Sequence, residues 1–219
     1  MRKIKDLIAK MLIGCLVLLC VNLNVNARFF VNGSGEGYPG DGEKSYIPIE
    51  NYVIDGAGYF LKGYGDIQKF LNLFELQDKD GIDYYDWQTV VNSAWSNLNN
   101  AAQIYNLLIK KAESTSYNEE FISRLIYFKY SDFFKENDLN SIIFNKCEDY
   151  LKKGDITGMY KHTLAEFTVI IDMLSNVKED LSFNKLPELS ILWKLNETCA
   201  ELSLFGQYAS RVFFEIIEK

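Results

Sequence analysis

The residues able to do chemistry are few, and their spacing defines what they can do. The chain carries one histidine, His162, with Glu166 four positions on. A pair at that separation lies on one helical face and offers two ligands, fewer than a metal site needs. A di-iron helical site takes a Glu-x-x-His pair from each of two helices, and Met159 stands where the glutamate would have to be. No CxxC, CxxCH or zinc-ligand spacing occurs. The Asp78-Lys79-Asp80-Gly81 stretch fails as a calcium loop, because Gly81 at the sixth position would make Leu76 the first ligand. Its acids are expected to cap a helix instead. No Gly-x-Ser-x-Gly elbow is present, and Gly56-Ala57-Gly58 lacks the third glycine of a dinucleotide fingerprint. A glycan hydrolase would need two carboxylates facing each other, one with a raised pKa. Glu75, Asp86, Glu120 and Asp172 are candidates, but Asp172 shares its face with Thr168, Ser175 and Glu179, which reads as solvated. The expectation leans against an enzyme and implies no cofactor and no metal.

Aromatic side chains are the more unusual resource. There are 15 Phe, 14 Tyr and 3 Trp, and tyrosine gathers between residues 38 and 85. Tyr52, Tyr59, Tyr64, Tyr84, Tyr85 and Trp87 form the candidate binding set. Tyrosine joins apolar area to a polar tip and is enriched at interfaces, so an exposed cluster there would suit a protein or glycan partner. The competing expectation is that the rings of residues 46–65 form a small core of their own.

The first residues read as an address. Arg2, Lys3, Lys5 and Lys10 precede an apolar run from Met11 to Val21, too short for a membrane span and of signal-peptide length. Val25-Asn26-Ala27 supplies a cleavage site, so residues 1–27 are expected to be a signal peptide and the product periplasmic or secreted. Leu12-Ile13-Gly14-Cys15 also fits a lipobox, but the apolar run continues past Cys15, which makes lipoprotein anchoring the weaker reading. Removal of residues 1–27 takes away four basic residues and one acid, leaving 19 basic against 29 acidic and a net charge near −10. Nucleic acid and anionic membranes are poor partners for such a chain. Cys147 and Cys199 survive processing, and in an oxidising compartment a disulfide between them is expected; two buried thiols are the alternative. Asn32-Gly33-Ser34 and Asn196-Glu197-Thr198 fit glycosylation sequons, relevant only in a eukaryotic secretory pathway.

The elements that would carry these residues follow from periodicity. Residues 28–45, with five glycines, read as a flexible linker. Tyr46–Gly65 reads as a short hairpin about Asp55-Gly56, followed by a short helix from Asp66 to about Leu76. Trp87, Val91, Ala94, Leu98, Ala101, Tyr105, Leu108 and Ala112 are spaced 4-3-4-3-4-3-4, the seam of a long helix over Asp83–Glu113. A capping box at Ser116 and Glu119 opens a helix to about Glu136, with Phe121, Leu125, Phe128 and Phe133 inward. After a break at Asn137-Asp138 another helix runs to Lys153, stopped by Gly154 in the left-handed conformation. Phe167, Ile170, Leu174, Val177 and Leu181 make the next seam. Leu192, Leu195, Cys199, Leu202, Gly206, Ala209, Phe213 and Ile216 make the last, over Lys185–Glu218 with Pro187 in the first turn.

The expected fold is therefore mainly α. It is an up-and-down bundle of four to five long helices over residues 46–219, with a short irregular or hairpin segment at its N-terminal side. The functional expectation is an exported, non-catalytic binding or interaction protein. A carrier holding an apolar ligand beside Gly206 and Ala209 is the alternative, and a carboxylate-dependent glycan hydrolase a weaker one. Heptad seams bury equally well within one chain or between two, so oligomeric state stays open.

Overall fold

The computed structural model describes residues 49–76, 83–130 and 141–218. The signal-peptide, lipobox and linker segments, the sequon at Asn32, the Asp78–Gly81 stretch, Phe133 and the Asn137-Asp138 break lie outside the described residues. Among the described residues there are six helices and no strand: α1 (Ile49–Leu76), α2 (Tyr84–Glu113), α3 (Glu119–Ile126), α4 (Ser141–Lys152), α5 (Ile156–Ser182) and α6 (Leu189–Glu218). Four of them are long, between 27 and 30 residues. They group into two compact units. Of the described residues, one unit holds 49–76, 83–114 and 157–202 and the other 115–130, 141–156 and 203–218, so α6 contributes to both.

In the larger unit, α1, α2, α5 and the first part of α6 run up and down. Gly56 faces Tyr105, Gly63 faces Leu98, and Phe70 meets Trp87 edge-on at 5.5 Å, so α1 and α2 are antiparallel. Glu113 meets Lys161 and Gln88 meets Leu181, so α2 and α5 are antiparallel as well. Gln68 Nε2 donates to Asn196 Oδ1, fixing α1 against α6. The whole α2 seam from Trp87 to Ala112 and the whole α5 seam from Phe167 to Leu181 are buried, as their spacing required. Burying each large apolar side chain contributes roughly 1.5–3 kcal/mol.

The hairpin expected at Tyr46–Gly65 does not form; its described part is the first half of α1. The physical reason lies in its glycines. Ile49, Gly56, Phe60, Gly63, Ile67 and Phe70 are buried with spacing 7-4-3-4-3, the same seam as in the other helices. A Cβ on Gly56 would stand 2.6 Å from the Tyr105 ring, and one on Gly63 would stand 2.8 Å from Leu98 Cγ and 3.2 Å from the Ala94 carbonyl. Hydrogen in place of a side chain lets the two backbones approach. That packing overrides the low helix propensity of glycine and the β-preference of Tyr52, Val53 and Ile54.

The helix ends are capped by short side chains and left-handed residues. Asp83 accepts from the amides of Tyr85 and Asp86 and starts α2. Asn118, rather than the Ser116 of the expected capping box, accepts from Glu120 and Phe121 and starts α3, which ends already at Ile126. Gly154 has φ 65°. The Asp155 amide reaches back to the Tyr150 carbonyl at 3.0 Å and the Gly154 amide to Leu151 at 2.9 Å, closing α4. α5 ends the same way with Asn184 at φ 53°, where the Lys185 amide donates to the Asp180 carbonyl at 2.9 Å. Pro187 precedes α6, whose first turn bonds to the Glu188 carbonyl, and is buried instead of standing in the first turn.

The smaller unit is built from α3, α4 and the second part of α6. Phe121 packs on Phe213 at 5.7 Å, Phe144 on Tyr208 at 5.7 Å and Tyr150 on Phe205 at 6.3 Å. Here the α6 seam shifts. Phe205 and Val212 are buried where Gly206 and Phe213 were expected, because the spacing after Leu202 is three residues instead of four. Gly206 is exposed, and a Cβ added to it would meet nothing within 4 Å.

Candidate functional site

The candidate tyrosines do not share one surface. Trp87 is core: Phe70, Phe74 and Tyr84 surround its ring at 5.5, 5.5 and 6.1 Å. Tyr64 stacks on Phe60 at 6.0 Å, and Tyr59 lies half-buried beneath Lys62. Tyr52 and Tyr59 stand seven residues apart on the part of α1 away from the start of α2, whereas Tyr84 and Tyr85 begin α2. At 1.5 Å per residue, roughly 35 Å of helix separates Tyr52 from the end of α1 that meets α2's start. Of the six, only Tyr85 is exposed, at 76%.

The other sequence candidates are placed as follows. His162 is mostly enclosed, with Nδ1 3.7 Å from Glu166 Oε1. Among the described residues, no group of three or more His, Cys, Asp or Glu could hold a metal ion. Glu75, Asp86, Glu120 and Asp172 are exposed on helix surfaces, and Glu120 is bound to Arg124 at 2.6 Å. Among the described residues no Asp, Glu, Lys, Arg or His is fully buried. Asn196 accepts from Gln68 in the α1–α6 contact, which engages the side chain of that sequon. Of the two small residues expected to flank a ligand, Gly206 is exposed, with nothing within 4 Å of an added Cβ, and Ala209 is buried.

The disulfide between Cys147 and Cys199 is not formed; both are free, buried thiols. Cys147 points its Sγ at the Phe205 carbonyl, 3.8 Å away. Burial, with Glu148 beside it, pushes this thiol up to about 12, and burial raises Cys199 further. Each packs as a small apolar side chain, the alternative that the sequence left open.

A different surface gathers exposed apolar groups. Phe183 (76% exposed), Leu186 (38%), Leu189 (54%) and Trp193 (57%) occupy the α5–α6 loop and the first turns of α6. Leu189 and Trp193 are four apart and share a helix face. Gln88 Nε2 donates to the Leu181 carbonyl at 2.8 Å, which brings the first turn of α2, with exposed Tyr85, to this end of the unit. By contrast, Ile54, Leu107 and Val169 are exposed singly, which is ordinary for a soluble surface.

The loop holding the cluster is well tied. Phe183 is the last residue before left-handed Asn184, and its amide donates to Glu179 and Asp180. Lys185 Nζ binds Asp180 Oδ1 at 2.8 Å, which raises the lysine pKa; Glu188 and Glu179 add to the same shift. Pro187 is buried beneath the loop. An exposed ring on an ordered backbone loses less freedom on docking than one on a mobile loop. Sequence reasoning passed over this cluster. The signal was Trp193 standing beside the Leu192–Leu195–Cys199 seam but not on it.

Among the described residues no helix is long and apolar enough to cross a membrane. Compared with protein-family models, with curated proteins and with solved structures, the chain matches none, so its function rests on its own surface.

Proposed function

We propose that the chain is an exported, non-catalytic interaction protein that engages a partner through the apolar end of its larger unit. The observation that carries the reading is the run of Phe183, Leu186, Leu189 and Trp193, all exposed within eleven residues and joined at that end by Tyr85. Leaving so many large apolar groups in water is unfavourable, and clusters of this kind mark contact surfaces. Trp and Tyr are also the side chains that most often dominate binding energy once covered. Tyr85 is the residue of the sequence-derived set that belongs to this surface. The basic start and short apolar run of residues 1–27 support export, with the cut after Ala27.

The test is site-specific photocrosslinking in the source cells, with a photoreactive phenylalanine at position 193 and, as a control, at the isolated exposed Leu107. A discrete adduct from position 193, absent from position 107 and lost on Phe183→Ser, is the expected result. Equal adducts from both positions, or none from position 193, would remove the reading. The intact mass of the exported product locates the cut in the same preparation.

A further inference from the structure

The chemistry of the partner can be read from what rims the apolar end, an inference that rests on the docking reading above. Asp83, Asp86, Glu179, Glu188 and Glu197 are exposed around Tyr85, Phe183, Leu189 and Trp193. Glu197 follows Trp193 by one helical turn on the same face. The lysines of this stretch do not balance them. Lys185 is held by Asp180 at 2.8 Å and also faces Glu179 and Glu188, one cation among three acids, and Lys178 sits over the Trp95 ring at 4.0 Å. Lys194 is the remaining exposed lysine between residues 178 and 197. An apolar surface is therefore ringed by surplus negative charge, and the whole chain is acidic at a net −7.

Size narrows the partner further. Three aromatic and two leucine side chains at these exposures present on the order of 500 Å² of apolar surface, taking roughly 200 Å² for a whole aromatic side chain. A stable pairing of folded proteins covers about 800 Å² on each partner. A little over half of such an interface is apolar, so a patch of this area is covered whole by a short segment, two or three turns of helix with one apolar face. A second copy of this chain would also bring acid against acid.

We propose that the apolar end of the larger unit binds a short amphipathic segment of a partner protein, apolar on one face and flanked by Lys or Arg. The apolar face covers Phe183, Leu189 and Trp193, and the basic flanks reach Glu179, Glu188 and Glu197. Charge pairs at the rim steer the encounter and set the choice of partner, while the covered rings hold it.

The test uses the purified full chain and two synthetic amphipathic peptides with the same apolar pattern, one of Leu and Lys and one of Leu and Glu, read by fluorescence anisotropy. The Leu/Lys peptide should bind saturably and the Leu/Glu peptide at least about tenfold more weakly. Phe183→Ser with Trp193→Ser should weaken the Leu/Lys peptide about tenfold or more. Both positions are exposed, and circular dichroism checks that helicity is kept. Glu179→Gln with Glu188→Gln should weaken it severalfold and flatten its salt dependence. Equal affinity for the two peptides overturns the basic-partner inference and leaves the docking reading standing. Leu/Lys binding that the Phe183/Trp193 variant does not change places the contact elsewhere and overturns both. Binding of neither peptide likewise removes both.

Discussion

Two pairs of glycines in α1, each seven residues apart, meet opposite surroundings. Gly56 and Gly63 press on α2, where an added Cβ would collide with Tyr105, Leu98 and the Ala94 carbonyl. Gly58 and Gly65 sit two residues further along and have nothing within 4 Å of such an atom. Intrinsic helix propensity is equally poor at all four positions. The difference teaches that the first pair is where the helix gains its close partner, and the second is a weakness that packing elsewhere offsets. One helix thus contains both the reason it forms and the reason it looked like a turn.

The comparison breaks most visibly at the inner pair. Gly56→Ala with Gly63→Ala is expected to lose about 2 kcal/mol net, overpacking outweighing the gain in propensity. The urea midpoint followed by circular dichroism checks it, and a rise in stability would refute the close-approach account. The outer pair should move the other way. Gly58→Ala with Gly65→Ala is expected to raise stability by about 1–2 kcal/mol and shift the thermal midpoint upward.

A smaller effect lies at the edge of the same interface. Asp66, three residues after Gly63, accepts from Ser93 Oγ at 2.7 Å and from Asn97 Nδ2 at 3.2 Å. Asp66→Ala should cost about 1 kcal/mol by denaturant titration, because the site is partly open to water. The subtlest test concerns Tyr105, the ring against Gly56. It packs edge-on to Phe167 at 5.1 Å, and burial raises its hydroxyl pKa from 10.0 to about 12. Above pH 10 the unfolded chain releases this proton while the folded chain keeps it. Its contribution is therefore intact below pH 10 and is lost as the pH rises through 12. Tyr105→Phe should make the alkaline fall in the urea midpoint shallower; an unchanged slope would count against burial at this ring. Tyr130, Cys147 and Cys199 shift in the same direction and keep part of the fall.

Much of the architecture was legible because α2 and α5 advertise their cores. Every seam residue from Trp87 to Ala112 and from Phe167 to Leu181 is buried. α1 was not legible as a helix, because glycine and β-branched residues near Asp55-Gly56 imitate a turn, and only a neighbouring helix shows why those glycines are there. Its seam of Gly56, Phe60, Gly63, Ile67 and Phe70 was present in the spacing but invisible to a search for large apolar residues. In α6 the spacing cannot choose between Gly206 and Phe205 after Leu202, since either continues an apolar row; packing chose the phenylalanine. The candidate surface was less legible still. Exposure at Phe183 depends on Asn184 stopping α5 where it does, and the same tyrosine count fits a core ring such as Tyr105 or an open one such as Tyr85.

α6 belongs to both compact units, and each unit is assembled from stretches far apart in the chain. That has a consequence for the order of events during synthesis. α1 and α2 are neighbours in sequence and can pair as a hairpin of helices while the ribosome is still at work. Neither unit can be completed until the final helix has been made, since residues 189–202 finish one and residues 203–218 the other. No truncation before α6 leaves either unit complete, and the smaller one waits for the later turns of that helix.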